Sequence, residues 1–139
     1  DLMDRGIGVD TMETAIRWSH VAALHRSVRD AVMTHARAHG YRALVLAHTS
    51  HSYADGACLY FTLLFPMAIG REVAQWRALK TAVSQAIVDH GGTISHHHGV
   101  GRDHRPWMTA EKGPVGRRLL RAAKSELDPA CILNPTKLV

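Results

Sequence analysis

Hydrophobic residues recur along this chain with two spacings, which predict an ordered set of strands and helices. Residues 9–15 favour a short strand, residues 42–48 are apolar and β-prone, and residues 57–65 alternate in polarity with a period of two. The turn signal Ala54-Asp55-Gly56 joins the last two segments, so we predict that they form a hairpin.

Two stretches have helical spacing instead. The first is predicted to run from Ser19, its expected N-cap, to Gly40, and the second from Gly70 to residues 91–92. Their buried stripes are expected to comprise Val21, Leu24, Val28, Ala31 and His35, and Val73, Trp76, Leu79, Val83 and Ile87, respectively. A short strand at residues 93–95 would complete the order β-α-β-β-α-β. We therefore predict an α+β fold of the ferredoxin-like type, with an antiparallel sheet and helices on one face.

A third helix is predicted from Pro114 to the stop signal Asp128-Pro129, outside the sandwich. The apolar residues that we expect to face inward are Val115, Leu119, Ala123 and Leu127. The other side carries Arg117, Arg118, Arg121 and Lys124. Such charges indicate either a solvated face or a surface that docks on an acidic or phosphate-bearing neighbour.

The segment at residues 57–65 divides its side chains between two faces of the predicted sheet. Leu59, Phe61, Leu63 and Phe65 would face the helices, and Cys58, Tyr60, Thr62 and Leu64 would share the other face. That second face is half apolar, which indicates that something covers it and favours self-association of the chain by itself. The alternative is an ordinary amphipathic strand with an exposed tyrosine.

Composition narrows the class of protein. A chain of 139 residues with 46% hydrophobic residues is typical of one globular domain. No apolar run approaches the roughly 18 residues of a membrane span, the chain opens without a signal-peptide pattern, and Cys58 and Cys131 form no disulfide framework. These features predict a cytoplasmic location. The net charge is +5, but the basic residues are spread over helix faces, so no nucleic-acid partner is predicted.

Three consecutive histidines, His96, His97 and His98, lie between glycines at residues 91–92 and 99–101. If residues 93–95 pair in the sheet, this loop emerges at the end of the sheet and can reach Tyr60. A phenol beside several imidazoles is suited to proton transfer near neutral pH. A polar loop without function is one alternative.

A metal site is the other alternative for the histidines, with His48, His51 or His104 as a further ligand. The usual ligand spacings are absent, so no metal is predicted. The chain also has no Gly-x-Ser-x-Gly motif and no phosphate-binding loop, and its glycine pairs do not form a dinucleotide fingerprint.

Several segments together resemble a known family. They are residues 10–15 with Trp18, the string Tyr-Ala-Asp-Gly-Ala-Cys-Leu-Tyr-Phe at 53–61, the string Gly-Gly-Thr-Ile-Ser-His-His-His-Gly-Val-Gly at 91–101, and Asp128-Pro129 with Ile132 and Asn134. They resemble the C-terminal part of the vanillyl-alcohol-oxidase-type FAD-linked oxidases, and among these the alkyldihydroxyacetonephosphate synthases.

The resemblance implies a role within a larger flavoenzyme. Residues 1–101 would be the second part of a cap or substrate domain, and residues 102–139 a helical return to the flavin domain. FAD would be bound mainly by an N-terminal domain, the expected partner, which lies outside this chain. The implied catalytic residues are Tyr60, His97 and His98, and the implied cofactor-binding residues are His96, His98 and Asn134. The chain by itself is expected to be inactive.

The implied reaction is exchange of acyl for alkyl on dihydroxyacetone phosphate through a flavin adduct, which makes an ether lipid. The substrate would be small and phosphorylated or lipid-like, so attachment to a membrane surface is an alternative to a freely cytoplasmic location. Metal-dependent hydroxy-acid dehydrogenases of the superfamily carry a glutamate where His97 stands, which argues against that branch. An FAD-linked oxidase or dehydrogenase of a 2-hydroxy acid or alcohol is the alternative, and a His-rich metal-binding module is the alternative from another class.

Overall fold

The computed structural model describes residues 1–139, which form three strands and three α-helices. In chain order they are β1 (Ile7–Arg17), α1 (Val21–Ala38), β2 (Leu44–Ser52), β3 (Gly56–Pro66), α2 (Glu72–Asp89) and α3 (Met108–Leu127). The strands form one antiparallel sheet in the order β1-β3-β2. The predicted α+β class, the antiparallel sheet and the hairpin are confirmed. None of the helices combines the length and the apolar character that a membrane span requires.

The hydrophobic core lies between one face of the sheet and helices α1 and α2. Alternation along β3 turns Leu59, Phe61, Leu63 and Phe65 toward the helices, as predicted, and all four are buried. They meet Met12 from β1, Leu24, Val28 and Val32 from α1, and Leu79, Val83 and Ile87 from α2. The stripe of α1 continues through Val32 and Ala36, whereas the predicted Ala31 and His35 lie at its half-buried margin. On α2 the predicted Val73 is exposed.

The start of α1 differs from the prediction. Trp18–His20 forms a short 3-10 turn, and the α-helix begins only at Val21. The Ser19 hydroxyl lies 2.9 Å from Nδ1 of His20 and caps no helical N–H. At the other end of the helix, Gly40 has the left-handed φ of 73° expected of a residue that follows a helix.

The fourth strand predicted at residues 93–95 does not form. The segment lies beside β1, where the amide of Thr93 donates to the carbonyl of Ala15 at 3.1 Å. The next donors turn away from the sheet, because the Glu111 carboxylate accepts from Thr93 Oγ1 at 2.6 Å and from the amide of Ile94 at 3.0 Å. The segment therefore keeps one backbone hydrogen bond to β1, and the Glu111 carboxylate on α3 binds its other side.

Helix α3 departs from its predicted start and orientation. It begins at Met108, and a kink at Gly113, with φ of 68°, separates its first turn from the segment that Pro114 opens. The residues predicted to face inward are exposed: Val115 by 57%, Leu119 by 67% and Leu127 by 79%, together with Ala123. That prediction is wrong for this chain, because only Met108 of α3 is buried and no other element covers the apolar side.

Candidate functional site

The sheet face away from the helices carries an apolar end and a polar end. Strand register places Val9, Leu64 and Leu44 in one row across β1, β3 and β2. Two rows further along, Glu13, Tyr60 and His48 are neighbours. We call this surface the open face; its apolar end is Val9, Leu44, Leu46 and Leu64, and its polar end is Glu13, His48, Cys58 and Tyr60. A face with one apolar end and one polar end suits a ligand that is itself polar at one end only.

The three histidines form a tight loop over the polar end. His97 has a left-handed φ of 62°, and the amide of His98 donates to the carbonyl of His96 at 2.8 Å. The carbonyl of Gly99 is held twice, by Ser95 Oγ at 2.6 Å and by Nδ1–H of the buried His104 at 3.1 Å. A non-glycine residue in this conformation persists where surrounding contacts fix it. These contacts therefore hold the loop in a defined shape.

Tyr60 lies between two imidazoles. Its ring centroid is 5.2 Å from that of His48 on β2 and 5.6 Å from that of His98 in an edge-on arrangement. The structure thus brings the predicted catalytic residues Tyr60 and His98 together, although residues 93–95 are not a strand. His97 stands next in the loop with half of its side chain exposed. The catalytic roles of all three stay predictions.

Glu13 is the residue at this site that the sequence analysis missed. It projects from the middle of β1 opposite Tyr60 and is only 6% exposed. Its Oε1 accepts from Ser50 Oγ at 2.8 Å and from Cys58 Sγ at 3.1 Å. Ser50 reaches it because a bulge in β2 adds one residue between Thr49 and His51. An acidic residue within a predicted strand was the available signal.

The charge of Glu13 is stabilised by its surroundings. Burial by itself would raise the pKa of this carboxyl, but hydrogen bonds from Cys58 and Ser50 and the nearby His98 and His97 outweigh burial, and the pKa of Glu13 is lowered. Its Oε2 lies 3.4 Å from Nε2 of His98 and 3.7 Å from Nδ1 of His97. A carboxylate ion therefore lies under the two histidines at neutral pH.

His96 has its own partners, Cys58 and Tyr53, whereas His97 and His98 face Glu13. Its Nδ1 is 3.1 Å from Cys58 Sγ, and its Nε2 is 3.2 Å from the hydroxyl of Tyr53. Burial, aided by the nearby His97, lowers the pKa of His96, and burial raises the pKa of Cys58 to about 11. The pair is therefore a neutral imidazole and a thiol, which is not the arrangement of a cysteine nucleophile. Both nitrogens of His96 have partners, and its predicted contact with the cofactor stays a prediction.

Two sets of three side chains at this end of the face each bring their potential metal-ligand atoms within 4.8 Å of one another. One is Glu13, Cys58 and His96, and the other is Glu13, His51 and His97. A thiol with a raised pKa resists the deprotonation that metal binding requires. Oε1 of the shared Glu13 already accepts two hydrogen bonds. We assign no metal here, and the expectation of no metal stays a prediction.

Asn134 lies apart from the converging residues. It is exposed in the C-terminal segment, and no hydrogen bond joins it to Tyr60 or the histidine loop. That segment is anchored elsewhere: the guanidinium of Arg102 donates to Thr136 Oγ1 at 2.8 Å, and that of Arg105 donates to the carbonyl of Thr136 at 3.0 Å. The role of Asn134 in binding a cofactor stays a prediction.

Comparison with known proteins gives consistent results along the chain. Residues 2–138 match the family described as FAD linked oxidases, C-terminal domain. Alkyldihydroxyacetonephosphate synthase of Caenorhabditis elegans is 39% identical over 142 residues, and that of Dictyostelium discoideum is 35% identical over 140 residues. Each alignment covers 99% of this chain but only 24% and 23%, respectively, of the relative. An uncharacterised FAD-linked oxidoreductase of Escherichia coli is 27% identical over 128 residues, which cover 89% of this chain and 26% of that protein.

A solved structure of alkyldihydroxyacetonephosphate synthase superposes with a TM-score of 0.65 at 26% sequence identity. The superposition covers 98% of this chain and 21% of that protein. The chain therefore spans about a quarter or less of the length of the proteins that it matches.

Proposed function

Since this chain belongs to the FAD-linked oxidase C-terminal domain family, a family of FAD-dependent enzymes, we propose that it is the substrate domain of an enzyme of the alkyldihydroxyacetonephosphate synthase type. The observation that carries the proposal is the convergence of Tyr60, His97 and His98 over the buried Glu13 on the open face. The relatives with that name, which are 35% and 39% identical, support the same reaction type.

The open face fits a flat, partly apolar group such as the flavin ring. Tyr60 presents a half-buried aromatic ring, and the side chains of His98 and His97 are 31% and 51% exposed beside it. When bound, FAD would supply the electron-accepting ring for exchange at the substrate carbon. In this proposal Tyr60 and His98 lie against the ring, and the rest of the cofactor is bound by another domain of the full-length protein.

Proton transfer is the task that we assign to this chain. Replacing an acyl group by an alkyl group releases a fatty acid as carboxylate and takes up a fatty alcohol, so the alcohol must lose its hydroxyl proton. No electrons are gained or lost overall. The exposed imidazoles of His97 and His98 are suited to accept that proton. Tyr60, beside His98, is suited to donate a proton to the substrate or accept one from it.

The apolar end of the open face suits the hydrocarbon chain of such a substrate. Leu44 and Leu46 are half exposed and Val9 is 39% exposed, all on the face that carries Tyr60. A lipid chain lying along this end would bury apolar surface, and each Å² buried would contribute roughly 25 cal/mol of favourable binding free energy. The proposal therefore uses both ends of the face, one for the reacting group and one for the chain.

The exposed side of α3 supports a docking surface for the rest of the protein. Val115, Leu119 and Leu127 form an apolar stripe that nothing in this chain covers. Single domains rarely expose such a stripe without a partner. We assign it to contact with the N-terminal FAD-binding domain, which makes residues 102–139 the connection between the two domains.

The test is anaerobic mixing of the full-length protein with acyl-dihydroxyacetone phosphate or with a panel of 2-hydroxy acids and alcohols. Loss of flavin absorbance with the acyl compound, release of fatty acid, and ether formation after addition of a fatty alcohol are expected. Flavin reduction by a hydroxy acid or alcohol, without reaction of the acyl compound, would instead establish the oxidase or dehydrogenase alternative. The observation that favours this alternative is the similarity to the bacterial FAD-linked oxidoreductase.

A further inference from the structure

We propose that Glu13 is a positioning residue that fixes which nitrogen of His97 and which nitrogen of His98 carries the hydrogen. The inference rests on the proposed function only for its effect on turnover. Glu13 is 6% exposed, which leaves little room for contact with a substrate. Its influence on the reaction must therefore pass through the side chains that contact it.

The two carboxylate oxygens of Glu13 have different partners. Oε1 accepts hydrogen bonds from the sheet, through Ser50 and Cys58. Oε2 accepts no hydrogen bond from the sheet, and its nearest polar partners are the histidine nitrogens at 3.4 Å and 3.7 Å. The Glu13 side chain is shielded from most of the solvent, so N–H groups at both histidine positions stabilise the negative charge on Oε2. The distances exceed those of a hydrogen bond, and catalytic contacts of this kind often tighten only when a substrate is bound.

The two histidines present different nitrogens to the same oxygen. His98 faces Oε2 with Nε2, and His97 faces it with Nδ1. In the neutral state, an N–H toward Glu13 leaves the lone pair on Nδ1 of His98 and on Nε2 of His97. Adjacent residues are thus held in opposite tautomers, each with its basic nitrogen turned away from the carboxylate.

The backbone of the loop is consistent with this arrangement. A left-handed residue other than glycine costs roughly 1–2 kcal/mol, and His97 adopts that conformation with φ of 62°. This turn allows two successive side chains to reach one oxygen. In metal sites, partners that orient a histidine in this way are typically worth about 10–100-fold in activity, and we expect a similar effect here.

The first measurement is the tautomeric state of His97 and His98 in the full-length wild-type enzyme, by nitrogen-15 NMR with labelled histidine and assignment by His97→Gln and His98→Gln. The expected result is hydrogen on Nδ1 of His97 and on Nε2 of His98. The opposite tautomer at either residue would overturn the proposal. The tautomers are measured without turnover, so this result tests the role of Glu13 independently of the proposed function.

The second measurement is Glu13→Gln in the full-length enzyme. The amide oxygen of glutamine can accept from Ser50 and Cys58, and the NH2 group that then replaces Oε2 can only donate, so we expect the tautomer preference to be lost. The expected loss in kcat is about 10–100-fold, with KM for the acyl substrate and flavin content unchanged.

Glu111→Gln is the matched control. Glu111 is also a shielded carboxylate with a lowered pKa, since hydrogen bonds from Thr93 and Ile94 outweigh burial, but it does not contact the histidines. The control should lower thermal stability without changing either tautomer. Equal effects of the two substitutions on kcat and on tautomers would show that Glu13 has only a structural role. If Glu13→Gln does not fold, the wild-type tautomers decide the question.

Discussion

The thiol of Cys58 offers a direct test of the electrostatics of the polar end. Cys58 is fully buried in β3, with Sγ 3.1 Å from both Oε1 of Glu13 and Nδ1 of His96. Burial, together with the adjacent Glu13 carboxylate, raises the pKa of Cys58 from 9.0 to about 11. Such an increase in pKa reduces the thiolate fraction at pH 8 by about a hundredfold. Cys58 is therefore expected to act as a hydrogen-bond donor and not as a nucleophile.

The raised pKa also links the stability of the domain to alkaline pH. The folded-state pKa of Cys58 lies above its unfolded value, so the stabilisation is fully present below pH 9.0 and is lost as pH rises toward about 11. Its size is about 2–3 kcal/mol, because each tenfold change in the acid dissociation constant corresponds to roughly 1.4 kcal/mol. In Cys58→Ala this part of the pH dependence should disappear, although the variant will be less stable at neutral pH.

The assay is iodoacetamide labelling of the native full-length protein at a series of pH values, with each peptide quantified by mass spectrometry. Cys131 is exposed and serves as the internal reference. Labelling of Cys58 should be slow and should rise with pH up to about 11. Slow labelling alone could reflect burial, so the pH of half-maximal labelling is the decisive quantity. A midpoint for Cys58 at or below 9.0, or labelling at neutral pH as fast as that of Cys131, would refute this reasoning.

Three further predictions concern the site, the loop and the open face. Tyr60→Phe in the full-length enzyme should lower turnover by about 10²–10⁴-fold with flavin retained, whereas Tyr53→Phe, which loses only a contact with His96, should have a much smaller effect; equal losses would contradict the assignment. Gly92→Ala should destabilise by about 1–3 kcal/mol, because the new Cβ would lie 2.7 Å from the fully buried Thr14 Oγ1, and a melting temperature equal to wild type would refute it. The isolated chain should self-associate through the open face, and Leu46→Lys should reduce that association in sedimentation; a monomeric wild type at high concentration would contradict the prediction.

Local alternation made the two faces of β3 predictable from sequence. Leu59 and Phe61 follow a period of two within one strand, so no knowledge of distant residues was needed. The Glu13 contacts required more, because they depend on the register between β1 and β3 and on a bulge that moves Ser50. The contacts of residues 93–95 also involve a distant residue, since Thr93 Oγ1 and the amide of Ile94 donate to Glu111, which lies 18 and 17 residues away.

The orientation of α3 was also unpredictable from the sequence, but for a different reason. Helical spacing of Val115, Leu119 and Leu127 identified an apolar stripe correctly, but periodicity does not say which surface covers a stripe. In this chain no surface does. The comparisons indicate why, since the relatives are about four times longer than the segment that matches.

Two neighbouring cross-strand pairs connect the stability of the fold to the geometry of the site. Met12 lies opposite Phe61 in the core, and Glu13 lies opposite Tyr60 on the open face. Because side chains alternate, a shift of one residue between the strands would move Met12 to the open face and Glu13 into the apolar core. Burial of an unpaired carboxylate among the helices would cost several kcal/mol, so the core enforces the register. The packing of Met12 on Phe61 thus places Glu13 beside Tyr60 and beneath the histidine loop.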